Sequence, residues 1–158
     1  MKKYSTALIL LNLMLVVVYF IYAIRQKEYI LTDGTLVKME LAPADPRSLM
    51  QGDYMALNYK EANKYSRFKK GYDSIPARGF AVLKIADNKV AHILRLQKNK
   101  TPLSPGETLM EYNKTRFSLS IGAESFFFQE GTAHIYDHAK YGVIRVDEEG
   151  RTVLVCVE

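Results

Sequence analysis

The stretch GFAVLKIADNKVAHILRL, residues 79–96, decides the fold class of this chain. Two apolar-rich runs, residues 79–85 and 90–96, lie on either side of the turn-like tetrapeptide Ala86-Asp87-Asn88-Lys89. Short runs of this kind around a polar turn are typical of an antiparallel β-hairpin. The sequence therefore predicts a hairpin near the middle of the chain, with β-structure around it.

Two further hairpins are predicted on the same grounds. Residues 107–112 and 116–121 surround a turn at 113–115, and residues 141–146 and 152–157 surround a turn at 147–150. Residues 35–41 alternate apolar and polar side chains, as a half-buried strand does. Consecutive hairpins predict a mainly β (α+β) fold, built as a small antiparallel sandwich or partial barrel. The lone cysteine, Cys156, lies in an apolar run and is expected to be buried.

Two or three short helices are predicted among these strands. Residues 45–52 combine an N-cap aspartate, a proline at the first helical position and a glycine at the end. Residues 132–140 are predicted to form a second helix, and residues 60–70 fit either a helix or an irregular loop.

The N-terminal segment predicts a membrane anchor. Residues 7–24 are apolar except for Asn12, and a helix over residues 4–24 spans roughly the 30 Å of a hydrocarbon core. A cleavable signal peptide has a shorter apolar region, which ends in small residues. The segment instead ends in Phe20-Ile21-Tyr22-Ala23-Ile24-Arg25. We therefore predict an uncleaved anchor over residues 1–27 and one extracytoplasmic domain over residues 28–158.

The charge distribution points to a lipid bilayer and argues against nucleic acid. Of the formal net charge of +5, four cations lie in the first 27 residues: Lys2, Lys3, Arg25 and Lys27. The remainder has 18 basic and 17 acidic side chains, whereas a nucleic-acid partner requires a clustered basic face. Positive charge on both flanks of the anchor favours a cytoplasmic N-terminus only slightly.

The sharpest local motif is GDYMALNY, residues 52–59. In a regular strand Met55, Leu57 and Tyr59 share one face, so Leu57 and Tyr59 are expected in the core. Gly52 suits a positive φ, and Asp53 can accept backbone N–H groups or pair with an arginine. A rigid helix-to-strand corner is the favoured interpretation, and a ligand site is the alternative.

This motif matches the pattern G-D-Y-x-x-L-x-Y, and the chain resembles the bacterial membrane-anchored GDYXXLXY proteins. The resemblance extends over most of the chain after the anchor, although Asp137 stands where the family has Glu. It implies a single-pass inner-membrane protein with a cytoplasmic N-terminus and a periplasmic body. It also implies association with a polytopic membrane protein, and it implies no particular activity. The binding or structural residues that it indicates are Asp45, Arg47, Gly52, Asp53, Tyr54, Leu57, Tyr59, Glu130, Gly131, Tyr136 and Asp137.

A metal site is a weaker possibility in the predicted helix over residues 132–140. On a helix, His134 and His138 would share one face, and two imidazoles with a neighbouring carboxylate can hold Zn²⁺. The apolar residues Ile135, Tyr136 and Ala139 point roughly the opposite way, so a solvated polar face is favoured. No cofactor is predicted.

Two other patterns leave alternatives open. The segment around Ser48 faintly resembles the serine box of membrane-anchored signal peptidases, but nothing places a buried lysine, such as Lys84, beside that serine. A basic and aromatic stripe fits a lipid surface, a protein partner or a solvated loop. Its members are Tyr59, Lys60, Lys64, Tyr65, Arg67, Phe68, Lys69, Lys70 and Tyr72. We therefore favour a non-catalytic accessory domain, with a membrane-bound hydrolase or metal-binding protein as the alternative.

Overall fold

The computed structural model describes residues 2–42, 54–69, 71–129, 131–132, 135–136 and 138–158. These residues form an N-terminal helix followed by antiparallel sheets, which gives a mostly β, α+β fold with a sandwich-like arrangement and no closed barrel in the described chain. The helices are α1 Lys2–Asp33 and α2 Lys60–Asn63, with a short 3₁₀ helix Tyr72–Ser74. The strands are β1 Thr35–Glu40, β2 Tyr54–Ala56, β3 Arg78–Ile85, β4 Ala91–Gln97, β5 Glu107–Lys114, β6 Leu119–Ser120, β7 Ser125–Phe127, β8 Tyr141–Val146 and β9 Thr152–Val157.

The N-terminal helix is confirmed, and it extends beyond the predicted membrane span over residues 4–24. The helix continues to Asp33 because no glycine or proline interrupts it before Gly34. Gly34 N donates to Ile30 O at 3.0 Å and closes the last turn. Residues 28–33 belong to the helix, and among them Ile30 is fully buried whereas the other five are exposed. By length and composition, the segment Ala7–Asp33 qualifies as a membrane span.

The first sheet has the order β1-β8-β9, with antiparallel pairing throughout. It confirms both the predicted strand over residues 35–41 and the predicted hairpin over residues 141–157. The expected burial of Cys156 was wrong. A β-bulge on β9 leaves Val155 without a partner on β8, and beyond the bulge the strand exposes Cys156.

The second sheet has the order β4-β3-β5-β6, and it confirms the hairpin over residues 79–96. The hairpin over residues 107–121 is only partly as predicted. Strand β5 continues to Lys114, its turn lies at residues 115–118, and β6 is two residues long. Most of β5 pairs instead with β3, from Arg78 opposite Asn113 to Lys84 opposite Glu107.

The third sheet pairs β2 with β7, and short turns complete the chain around it. Only residues 60–63 of the 60–70 segment are helical, and residues 64–69 form turns. The predicted helix over residues 132–140 was wrong for the described residues. Ile135 N donates to Thr132 O and Ala139 N donates to Tyr136 O, so these hydrogen bonds join residues three apart, as in 3₁₀ turns, rather than four apart as in an α-helix. The predicted helix over residues 45–52 lies outside the described residues.

Candidate functional site

The described end of the motif, residues 54–59, forms a corner that leads from β2 into α2. Strand β2 pairs with β7, with Tyr54 opposite Phe127. Met55, Leu57 and Tyr59 are buried, while Ala56 and Asn58 are exposed. The predicted burial of Leu57 and Tyr59 is therefore confirmed, although the regular strand ends at Ala56. The predicted residues Asp45, Arg47, Ser48, Gly52 and Asp53 lie outside the described part of the chain.

Tyr59 joins three parts of the domain. Its ring is only 2% exposed, and its hydroxyl donates to Ala123 O at 2.6 Å. A Cβ at residue 142 would lie 2.8 Å from Tyr59 Cε1, so Gly142 on β8 leaves the room that the ring occupies. Burial, helped by the nearby Glu124 carboxylate, raises the pKa of Tyr59 well above its usual value, which keeps the phenol a neutral donor.

Backbone hydrogen bonds hold the rest of the corner in place. Leu57 N donates to Glu124 O at 2.7 Å, and Ala42 N donates to Asn58 O at 2.7 Å. The Glu124 side chain in turn accepts from the backbone N–H groups of Ile121 and Gly122. Leu57 and Tyr59 are therefore determinants of the fold, and they position the surface beside them.

That surface is a cleft of about 460 Å³, which we call the motif cleft. An ion pair between Lys60 and Glu40 lies at its rim. Its lining combines apolar side chains with groups that donate and accept hydrogen bonds. The lining residues are Glu40, Leu41, Ala42, Met55, Ala56, Leu57, Asn58, Lys60, His138, Ala139, Lys140 and Tyr141. A mixed lining of this kind suits a polypeptide segment, which has both apolar and hydrogen-bonding groups.

Aromatic side chains pack next to the corner. Tyr136, a predicted site residue, packs its ring against Phe126 and Phe128, with ring centroids 5.0 and 5.5 Å apart. Phe127 is 75% exposed and Ile135 is 62% exposed, so apolar surface faces outward here. Gly131, another predicted residue, has a φ of 82°, which favours glycine.

The described residues give the metal hypothesis little support. His138 is exposed, and the turns around it do not provide the helical face on which the pairing of histidines was argued. Glu130, His134 and Asp137 lie outside the described residues. Among the residues that are described, no three His, Cys, Asp or Glu side chains are grouped to hold a metal ion.

A buried carboxylate that the sequence did not single out lies at Glu61 in α2. It is 5% exposed, and it accepts from Lys64 Nζ at 2.7 Å and from Ile93 N at 3.1 Å, with His92 Nδ1 at 3.0 Å. Burial by itself raises the pKa of Glu61, but the hydrogen bonds more than offset it, and the pKa is lowered. This cluster ties α2 to His92 and Ile93 on β4. Glu61 stands in a polar run, so only a long-range contact reveals its role.

The two remaining sequence patterns have different outcomes. Lys84 is exposed on β3, whereas the serine-and-lysine chemistry needs a buried lysine beside the serine. The basic and aromatic stripe is divided, because Tyr59 and Tyr72 are buried whereas Phe68 is 89% exposed.

Comparison with known proteins places these residues in a wider context. A scan against protein-family models matches residues 16–157 to the family described as GDYXXLXY protein. The match begins within α1 and includes every strand described above. Searches of the curated proteins and of the solved structures found no match.

Proposed function

The chain belongs to the GDYXXLXY family, and from that premise we propose that it is an accessory domain that binds a polytopic membrane protein through the motif cleft. The family and the N-terminal apolar helix fit a membrane-anchored protein.

The observation that carries the proposal is the open cleft beside the motif. Leu57 and Tyr59 are used inside the fold, whereas Ala56 and Asn58 line the cleft and are exposed. Phe127 and Ile135 add exposed apolar surface next to the corner. Large apolar side chains near a polar-rimmed cleft are the usual anchors of protein–protein contacts.

The connection to the anchor favours a partner within the same membrane. Arg145 Nη1 donates to Thr32 O at 2.8 Å and to Gly34 O at 3.2 Å, which fixes β8 to the end of α1. A domain held this closely to its anchor moves in the plane of the bilayer. Co-residence in one membrane raises the effective concentration of a membrane partner without any additional contact.

We propose that α1 spans a bacterial inner membrane, with the N-terminus in the cytoplasm and the body in the periplasm. The charges on both sides of the apolar segment support this orientation only slightly, and family membership supports it further. A reporter active only in the periplasm, fused after Glu158, should be active. Activity of a reporter that works only in the cytoplasm, fused at the same position, would contradict this orientation.

The partner contact is tested by photocrosslinking in membranes. A crosslinker at Asn58, which is exposed in the motif cleft, should capture a protein that mass spectrometry identifies as polytopic. Asn99 is the matched control, because it is an exposed asparagine in the loop after β4. Recovery of uncrosslinked protein alone, or equal products from both positions, would contradict the proposal.

The hydrolase alternative makes a different prediction for Ser48. If that serine were a nucleophile, Ser48→Ala would abolish function while leaving the fold and the Asn58 crosslink intact. For a non-catalytic binding domain, the same variant retains function.

A further inference from the structure

Two loops that are far apart in sequence form one exposed basic and aromatic surface, which we call the loop face. It consists of Arg67, Phe68 and Lys69 after α2, and of Arg116 and Phe117 in the turn between β5 and β6. Arg67 N donates to Phe117 O at 2.9 Å and joins the two loops. Only the first loop belongs to the stripe that the sequence indicates.

Both rings of the loop face point outward from a fixed frame. Phe68 is 89% exposed and Phe117 is 56% exposed. The turn that carries Phe117 is held by Tyr72, whose hydroxyl lies 2.7 Å from Thr115 O and 3.0 Å from Ser118 O. An exposed phenylalanine ring is unfavourably placed in water. Its transfer into an apolar or interfacial environment lowers the free energy of the system.

The charge of the loop face is entirely positive. Residues 64–69 and 114–118 contain no aspartate or glutamate. Lys64 is paired with Glu61, but Arg67, Lys69 and Arg116 take part in none of the ion pairs between described residues. The Arg116 guanidinium lies 5.6 Å from the centre of the Phe117 ring. Uncompensated cations around exposed aromatic rings are complementary to an anionic lipid surface.

The position of the β5–β6 turn relative to α1 specifies the membrane as the occupant. Lys27 lies three residues beyond Ile24, about 4.5 Å along the helix axis, so it sits in the headgroup layer of a spanned bilayer. Lys27 Nζ donates to Thr152 O at 3.4 Å, and Lys27 lines a small cleft together with Asn113 and Ile121. Asn113 lies on β5 and Ile121 directly follows β6, so both lie at the base of the β5–β6 turn that carries Phe117.

The reach of the β5–β6 turn agrees with this placement. Phe117 is four residues from both Asn113 and Ile121, so it lies within roughly 13 Å of them at about 3.3 Å per residue. The headgroup region adds about 5–8 Å to each side of the hydrocarbon core. We propose that the loop face docks on the anionic bilayer that holds α1, with Phe68 and Phe117 in the headgroup layer. The domain is then held to the membrane at two places, the anchor and the loop face.

This inference goes beyond the partner proposed above, and it rests only on the insertion of α1. Its test uses the full-length protein, which contains no tryptophan, so a single introduced tryptophan is a unique reporter. Phe117→Trp and Phe68→Trp are reconstituted separately into phosphatidylcholine vesicles with and without phosphatidylglycerol, and brominated acyl chains are used as quenchers. Both positions are exposed, so the substitutions leave the fold intact, which circular dichroism checks.

Two control reporters separate the possible failures. Phe20→Trp lies in the anchor and should be quenched in both vesicles. Asp87→Trp lies in the β3–β4 turn, at the other end of β3 and β5 from the β5–β6 turn, and should be quenched in neither. The loop-face reporters should be quenched only with phosphatidylglycerol. If they stay unquenched, or are quenched equally in both vesicles, while Phe20→Trp is quenched, the loop-face docking is refuted. An unquenched Phe20→Trp refutes the anchor, and the inference with it.

The charge requirement has its own test in the Phe117→Trp background. Each cation near an anionic surface is worth a factor of about five in the ratio of docked to undocked protein. Arg67→Gln and Arg116→Gln should each lower that ratio by about this factor, whereas Lys98→Gln, in the loop after β4, should leave it unchanged. Equal ratios for all three variants would overturn the electrostatic part of the inference.

Discussion

Removing one hydroxyl from the motif tyrosine should destabilise the whole domain. In the Tyr59→Phe variant the ring still fills its place against Gly142, but the hydrogen bond to Ala123 O at 2.6 Å is lost. Both Tyr59 and Ala123 are buried, so water does not readily replace the missing donor. The substitution therefore measures how much the hydrogen bond contributes to the stability of the fold, separately from the packing of the ring.

The size of the destabilisation follows from leaving the buried Ala123 carbonyl without this donor. Such a loss costs about 1–3 kcal/mol, against about 0.5–1.5 kcal/mol for an average hydrogen bond. For a body of this size, each kcal/mol corresponds to roughly 3–5 °C in the midpoint of thermal unfolding. We therefore expect Tyr59→Phe to lower the midpoint by about 3–15 °C.

The matched control is Tyr112→Phe. Tyr112 is also buried, but its hydroxyl has no hydrogen-bond partner in the described part of the chain. Removing an unsatisfied buried hydroxyl relieves a desolvation cost, so this variant should be as stable as the parent protein or more stable. The assay is thermal unfolding of the full-length proteins in mild detergent, followed by the circular dichroism of the β-sheets. Equal losses in both variants, or no loss in Tyr59→Phe, would refute the reasoning.

Three further predictions concern packing, acid stability and metal. Gly142→Ala places a methyl group 2.8 Å from the motif tyrosine ring, so we expect a loss of about 1–3 kcal/mol in the same unfolding assay. Hydrogen bonds from Arg95 lower the pKa of Glu107 to about 2, so its stabilisation is present above the unfolded pKa of about 4.3 and is lost as pH falls through about 2. The temperature midpoint of unfolding should therefore fall less in Glu107→Gln than in the parent protein when the pH is lowered from about 5 to about 2. This pH range is the one that the folded and unfolded pKa values define. Purified full-length protein should contain no stoichiometric zinc, whereas zinc that is lost in His134→Ala and His138→Ala variants would favour the metal-binding alternative.

Local patterning was enough to predict much of this molecule. The polar turns at residues 86–89 and 147–150 and the apolar runs beside them define two hairpins that the structure confirms. The alternation of Met55, Leu57 and Tyr59 predicts their burial, because a strand places every second side chain on one face. The apolar N-terminal run likewise predicts a helix of membrane-spanning length.

Prediction failed where neighbours distant in the sequence decide the outcome. The exposure of Cys156 depends on a bulge between β8 and β9. The pairing of β2 with β7 joins two three-residue strands that carry little local signal, and Glu61 gains its role only from His92 and Ile93 on β4.

The anchor is predictable from the sequence, whereas the loop face and the motif cleft are not. The anchor is encoded in one continuous segment, because hydrophobic length along a helix is a local property. The loop face combines Phe68 with Phe117, which are far apart in the chain and lie on loops joined by the hydrogen bond from Arg67 N to Phe117 O. The motif cleft likewise brings residues 55–58 beside residues 138–141. Local periodicity specifies which segments become helices and strands, whereas a binding surface requires the tertiary contacts that bring those segments together.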